Sequence, residues 1–264
     1  MIMDGAGKRI RWSRFVDERT GRGLIVPIDH GLTLGPLPGL DTIERMARFV
    51  AHPAVTGIIA HKGLVERLGN RGLLGRAGVM VHLDGMTSIA EHPDRKEALT
   101  TVESAIRLGA DAVSVQLNFD GQCDAHNLRL LGRITDEARA FGLPVLTMLY
   151  DKVPTESATA RVARQRHLIR ACVELGTDAL KLAAPQDLAE IPALLEGVEE
   201  HTAVFFAGGQ VRSERDLFDL AESAVAAGAA GLCAGRNVFQ REDVGATLAR
   251  LREILSRPAR EGAR

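Results

Sequence analysis

Residues 111–149 read DAVSVQLNFDGQCDAHNLRLLGRITDEARAFGLPVLTML. Two apolar runs, DAVSVQL (111–117) and PVLTML (144–149), flank a polar stretch, HNLRLLGRITDEARAFG (126–142), with helical patterning and a glycine stop at Gly142. Strand, helix and strand in that order make the βαβ unit of a parallel sheet. The same alternation continues outward in both directions. Strand-like runs recur as LIVPI (24–28), VTGIIA (55–60), GVMVHL (78–83), DALKLA (178–183), AVFFA (203–207) and AGLCAG (230–235). Between them lie the helical stretches LDTIERMARFVAH, KEALTTVESAIRLG, ARVARQRHLIRACVELG, ERDLFDLAESAVAAG and VGATLARLREIL, several ending at a glycine (Gly109, Gly176, Gly228). Eight such units in 264 residues predict a single-domain (β/α)8 TIM barrel over residues 1–264, with short tails at about 1–12 and 257–264. A doubly wound open sheet is the competing architecture. It calls for a glycine-rich phosphate turn after the first strand, where this chain has DHGLTLGPLPG. The early GAGK (5–8) lacks the glycine spacing and the Ser or Thr of a P-loop and reads as part of a flexible tail.

Composition narrows the function. Against 33 Lys and Arg stand 34 Asp and Glu, so the chain lacks the basic excess of a nucleic-acid binder. No run reaches the ~18 apolar residues of a membrane span, and the N-terminus carries no signal-type apolar core. Cys123, Cys172 and Cys233 are odd in number and have no metal-type spacing, which points to a reducing, cytoplasmic compartment. Only five of the 33 cations are lysine (Lys8, Lys62, Lys96, Lys152 and Lys181), so each can be weighed singly.

In a barrel of this kind the chemistry sits at the C-terminal strand ends. There the sequence offers Asp29-His30, His61-Lys62, His82 with Asp84, Gln116 and Asn118, Tyr150-Asp151-Lys152, Lys181, Gly208-Gly209 and Gly235-Arg236-Asn237. Alternation along DALKLAAP turns Leu180 and Leu182 one way and Ala179, Lys181 and Ala183 the other. The larger apolar set belongs against the helices, which places Lys181 inside the barrel. Burial there is expected to lower its pKa and to supply a neutral amine able to form a Schiff base with a carbonyl. A lysine reaching the rim to bind an anion fits the local pattern equally well. Tyr150 is placed to move a proton, and Asp29 to hold a hydroxyl. The glycines after the seventh and eighth strands, with Arg236, suit a phosphate. His30, His61 and His82 end three successive strands and form the rival reading, a metal site completed by Asp29 or Asp84. His52, His92, His126, His167 and His201 read as solvated.

These residues carry a resemblance. The chain resembles the class I aldolases of the DeoC/FbaB group, which include archaeal-type fructose-bisphosphate aldolases and 2-amino-3,7-dideoxy-D-threo-hept-6-ulosonate synthases. The similar motifs run from GLIVPIDHGLTLGPLPG (23–39) through HKGLV (61–65), VESAIRLGADAVSVQLN (102–118), TDALKL (177–182) and FAGGQ (206–210) to AAGAAGLCAGRNVFQ (226–240). The resemblance implies a TIM barrel acting on a phosphorylated ketose donor and an aldehyde, without metal or cofactor, in a homo-oligomer such as a decamer or related ring. It implies Lys181 as the Schiff-base lysine, Tyr150 as the proton-transferring tyrosine, Asp29 and His30 as the pair after strand 1, and Gly208, Gly209, Gly235 and Arg236 as the phosphate loops. Lys62, His82, Asp84, Gln116 and Lys152 are the candidate contacts to the rest of the substrate. The chain departs from relatives at HLDG (82–85), QLN (116–118), Tyr150-Asp151-Lys152-Val153 and Met148, all on the acceptor side. The departures favour a specialised enzyme joining dihydroxyacetone phosphate to L-aspartate semialdehyde, giving 2-amino-4,5-dihydroxy-6-oxo-7-phosphooxyheptanoate for aminohydroxybenzoate synthesis. In that reading Asp84 is placed to pair with the substrate's ammonium. Fructose-bisphosphate cleavage, dideoxyheptulosonate synthesis, a metal-dependent aldolase, a thiolase-like acyl transfer to coenzyme A and a non-catalytic phosphosugar-binding protein are the alternatives.

Overall fold

The computed structural model describes residues 3, 5–198 and 200–258. Eight parallel strands close into a barrel: β1 (Gly23–Pro27), β2 (Gly57–Ala60), β3 (Gly78–His82), β4 (Ala112–Phe119), β5 (Val145–Asp151), β6 (Ala179–Ala183), β7 (Ala203–Ala207) and β8 (Gly231–Cys233). Each strand neighbours the next in sequence, and β8 pairs with β1. In chain order the helices are α1 (Ala6–Trp12), α2 (His30–Leu34), α3 (Ile43–Val50), α4 (Lys62–Asn70), α5 (Val102–Arg107), α6 (Asp124–Ala140), α7 (Ala158–Glu174), α8 (Ile191–Leu195), α9 (Glu214–Ala226), α10 (Arg236–Phe239) and α11 (Val244–Leu255). None of these is long and apolar enough to cross a membrane.

The strand sequences explain the layering. Alternate residues face opposite ways, so the apolar side chains divide into two cores. Ile25, Ile59, Met80, Leu146, Met148, Ala179, Phe205 and Cys233 fill the barrel interior. Leu24, Val26, Ile58, Val113, Leu180, Leu182, Val204 and Leu232 pack outward among the helices. The predicted facing of β6 is therefore the observed one. Helix starts are capped as their sequences suggest. Thr42, Thr101, Ser157, Ser213 and Asp243 accept from the backbone N–H three residues on. Gly109, Gly142, Gly176 and Gly228 all adopt positive φ at the helix ends.

Four expectations change. The stretch 5–12, read as tail, is a loop residue followed by helix α1 (residues 1, 2 and 4 and 259–264 of the expected tails lie outside the described residues). Trp12 is buried, with its ring centroid 5.5 Å from Phe15 and 6.1 Å from Phe205, so α1 closes the barrel floor. Glycine at the start of β2 makes room for this plug: a Cβ on Gly57 would lie 2.4 Å from the Phe15 ring. Lys8, expected in solvent, is buried and donates to both oxygens of Asp178 at 2.7 and 2.8 Å. The segment beginning KEAL is not yet helix. Lys96 is buried, Glu97–Ala98 pairs with Asp84–Gly85 as a two-stranded hairpin, and helix begins only at Val102. His126, expected in solvent, is half-buried, and its Nε2 lies 2.7 Å from the Lys96 carbonyl oxygen.

The floor plug is a stability element. Trp12→Ala opens a cavity under the barrel and is expected to cost about 3–5 kcal/mol, read as a lowered urea midpoint with an unchanged slope.

Candidate active site

Strand register brings the strand-end residues together. Gln116 of β4 pairs with Met148 of β5, and Met148 with Lys181 of β6. Two residues further along, Asn118 pairs with Tyr150. Lys181 is only 5% exposed, and its Nζ lies 3.6 Å from the Met148 sulfur. Burial disfavours its ammonium, but Tyr150, Cys233 and Asp29 outweigh that cost and hold its pKa above the ordinary lysine value, with Asp29 as the anion that acts at neutral pH. The lowered pKa expected from burial alone is thus reversed by the groups that share the interior. Burial meanwhile pushes the Cys233 thiol up to about 11, so it stays protonated at neutral pH.

Asp29 caps α2 at the end of the first strand unit. Burial raises its pKa, yet His30, His82, Lys181 and His61 together bring it down to about 2. It is the anion facing the Lys181 cation. Its neighbour His30 has Nδ1 3.4 Å from Asp29 Oδ1 and its ring edge-on to Phe239 at 5.6 Å. Burial lowers the His30 pKa, and Nδ1 is buried without a hydrogen bond among the described residues.

His82 lies between two carboxylates. Its Nε2 is 3.2 Å from Asp84 Oδ1 and 3.9 Å from Asp29 Oδ2, while Nδ1 is 2.8 Å from the Ser114 hydroxyl. Burial takes its pKa down to about 3, so the ring is neutral. A ring proton on Nε2 then faces the carboxylates, and Ser114 donates to Nδ1. Asp84 has no exposed surface, and both its oxygens accept from the Gln116 backbone N–H at 2.9 and 3.2 Å. Burial lifts its pKa to about 8, against the opposing pull of that N–H and of Lys96. Asp84 therefore supports the pocket wall, and the expected pairing with a substrate ammonium meets a carboxyl already enclosed. The rival metal reading is not assembled either. Among the described residues no three His, Cys, Asp or Glu side chains converge on a common point, and His61 packs edge-on against the His82 ring at 5.2 Å.

Across the mouth, the loops after β7 and β8 are joined by Asn237. Its fully buried side chain donates to the carbonyls of Gly208 (3.0 Å) and Gln210 (2.8 Å) and accepts from the Arg212 N–H (2.8 Å). Gly209 adopts positive φ, and a Cβ on Gly235 would lie 2.7 Å from His30 Cε1. Arg236 opens α10 with its Nε buried and without a hydrogen bond among the described residues. Of the other predicted contacts, Lys62 donates to the Leu99 carbonyl at 2.9 Å on the exposed rim. Gln116 donates to Asn118 Oδ1 (2.9 Å), and Lys152 to Asp94 Oδ1 (2.5 Å). A surface recess lies at the opposite end of the barrel, lined by Arg9, Trp12 and Arg22, away from every strand-end group.

Asn237, Lys96 and Asp94 were given no role by sequence. Asn237 was visible only as the residue after Gly235-Arg236. Lys96 and Asp94 lie in a stretch whose polar pattern is the same whether it is solvated helix or folded-back hairpin.

A parallel barrel with a buried lysine among a tyrosine and a carboxylate defines a class I, Schiff-base aldolase. The chain belongs to the DeoC/LacD family of aldolases, whose family model matches residues 23–241. It is 36% identical over 236 residues to 2-amino-3,7-dideoxy-D-threo-hept-6-ulosonate synthase 1 of Archaeoglobus fulgidus, covering 89% of this chain and 86% of the relative. It is 28% identical over 256 residues to 2-amino-4,5-dihydroxy-6-oxo-7-(phosphonooxy)heptanoate synthase of Streptomyces griseus, covering 97% and 93%. Among solved structures, an archaeal fructose-1,6-bisphosphate aldolase with its catalytic lysine bound to the carbinolamine intermediate superimposes with a TM-score of 0.82. That match has 27% identity and covers 94% of this chain and 99% of the other.

Asp84 carries a pH prediction. Its folded pKa of about 8 stands above the ordinary carboxyl value of 3.8, so its contribution to stability is full below 3.8, is lost progressively as pH rises, and is gone above 8. The parent's melting temperature is expected to fall between about pH 4 and 8 and to level off above that, and Asp84→Asn to flatten that fall in a thermal-shift series.

Proposed function

We propose that Lys181 is the amine that forms the Schiff base with a phosphorylated ketone donor. The observation carrying this reading is a buried lysine in the barrel interior, beside Tyr150 and facing the Asp29 carboxylate. Because Lys181 rests as an ammonium, it first gives up a proton, and the Asp29 carboxylate is the group at hand to receive it. The amine then adds to the ketone carbon and gives a carbinolamine. Tyr150 gives its phenol proton to the carbinolamine hydroxyl, whose loss as water leaves an iminium, and the electrons of an adjacent C–H bond flow into it as the phenolate takes that proton. The resulting enamine attacks the aldehyde carbon while Tyr150 returns the proton to the new alkoxide, and water hydrolyses the iminium, releasing the product and restoring the amine. Asp29 and His30 hold the substrate hydroxyls. Gly208, Gly209, Gly235 and Arg236 hold the phosphate through backbone N–H groups and one guanidinium.

For the substrates, the reading is dihydroxyacetone phosphate as donor and L-aspartate semialdehyde as acceptor, giving 2-amino-4,5-dihydroxy-6-oxo-7-phosphooxyheptanoate. In support, the names of both enzymes similar to this chain describe a seven-carbon product with an amino group at carbon 2. A second reading, synthesis of 2-amino-3,7-dideoxy-D-threo-hept-6-ulosonate, is favoured by the higher identity of 36%. Product masses from a donor and aldehyde panel separate the two.

Borohydride added with dihydroxyacetone phosphate is expected to leave a reduced adduct on Lys181, located by peptide mass, and Lys181→Met to leave none. Tyr150→Phe should still trap the donor while slowing turnover by about 10²–10⁴-fold. Failure of the parent to form any adduct, with loss of activity on chelation, would overturn the reading.

A further inference from the structure

Three aspartates lie near the acceptor side of the mouth, and only one presents surface to a ligand. Asp84 is wholly buried. Asp151 is held by both its oxygens on Arg164 Nε at 2.9 and 2.8 Å, with a side chain only 6% exposed. Asp94 is 24% exposed and is paired with Lys152, which is 46% exposed. Asp94 comes from the loop between the hairpin strands and Lys152 from the end of β5, so tertiary folding alone brings them together. Asn118 orients the pair, donating to Asp94 Oδ1 at 2.8 Å while its own Oδ1 accepts from Gln116. Both bonds to Asp94 fall on Oδ1, which leaves Oδ2 without a hydrogen bond among the described residues.

The chain Gln116, Asn118, Asp94, Lys152 forms one wall of the mouth. Gln116 is separated from Lys181 only by Met148 in the strand register, and Asn118 stands opposite Tyr150. Two strand residues rise about 7 Å, so Asn118 and Tyr150 stand that far along the strands beyond the Lys181 backbone, and the charged end of this wall lies beyond them. Its charge pattern is informative. A second phosphate needs cations without a neighbouring carboxylate, and here the lysine charge is answered by Asp94. A group bearing an anion and a cation on one carbon needs the opposite pair side by side, and Lys152 and Asp94 are that pair.

We propose that Asp94 and Lys152 form an acceptor clamp for an aldehyde bearing an α-amino carboxylate, with Asp94 Oδ2 on the ammonium and Lys152 Nζ on the carboxylate. This rests on the Schiff-base reading above and assigns its acceptor specificity to two residues. The ligand replaces the ion pair's mutual contact with two crossed ones, so little charge is newly buried. Gln116 and Asn118 are positioning residues, since they reach the ligand only through Asp94.

The test compares kcat/KM for L-aspartate semialdehyde, for 4-oxobutanoate, which lacks the ammonium, and for butanal, which lacks both charges, with dihydroxyacetone phosphate as donor. The parent is expected to prefer them in that order. Asp94→Asn should reduce the first preference by about tenfold, and Lys152→Met the second by a similar factor, while the donor adduct still forms on Lys181. Should either variant fail to fold, competition in the parent reads the same point: L-homoserine should inhibit the aldol step at lower concentration than 4-hydroxybutanoate. Equal rates for the three aldehydes, equal inhibition by the two competitors, or preferences untouched in folded variants would overturn the clamp. In those cases the trapped donor adduct still stands. A parent that traps no donor fails the Schiff-base reading, and the clamp falls with it.

Discussion

A charged amine inside a closed apolar barrel has to be compensated, and the upper half of this structure is organised around that need. Lys181 is buried among Met148, Phe205 and Cys233, where an isolated ammonium would be expelled or neutralised. Asp29 supplies the opposite charge, and at neutral pH the Lys181 ammonium is the cation that offsets its burial. The histidines in turn stay neutral, because burial outweighs the attraction of the carboxylate. The interior thus holds one cation and one anion of opposing charge among polar neutral rings. That arrangement keeps the charge count low while leaving several groups able to pass a proton.

The same economy appears below and around the site. The barrel floor is closed by Trp12 of the N-terminal helix and Phe15 just beyond it, so the interior core is apolar beneath the reactive layer. The Lys8–Asp178 pair fastens that helix, and Asp178 also accepts from the Val145 N–H at 2.9 Å, tying the plug to two strands. At the mouth, Asn237 fixes the two phosphate-side loops to each other. Asp94 fixes the inserted hairpin to strands β4 and β5. A rigid lower barrel and a polar-stapled rim are the conditions under which short loops hold reacting groups in place.

Much of this was legible in the chain. The eight strands matched their apolar runs, because a strand buried on both faces must be apolar throughout. The Lys181 facing followed from the pairing of large leucines with helices and small alanines with the interior. What the chain concealed were the fates of its charges. Lys8 and Lys96 look like solvated lysines in their local context, and both are buried. Asp84 looks like a free carboxylate at a strand end and is enclosed by the hairpin and the Gln116 amide. The pKa of Lys181 illustrates the same gap: desolvation can be inferred from neighbours in sequence, but the opposing carboxylate, phenol and thiol come from three other strand ends.

By itself the sequence determined the barrel, which face of the Lys181 strand looks inward, and the presence of an interior lysine. Those properties rest on periodicity, and periodicity is local. Only the tertiary structure decided which charges meet. Lys8 reaches Asp178 across 170 residues, Lys152 reaches Asp94 across 58, and His82 stands between Asp29 and Asp84. An ion pair or a shifted pKa depends on separation in space and on the water excluded around it, and neither quantity is carried by the order of residues along the chain.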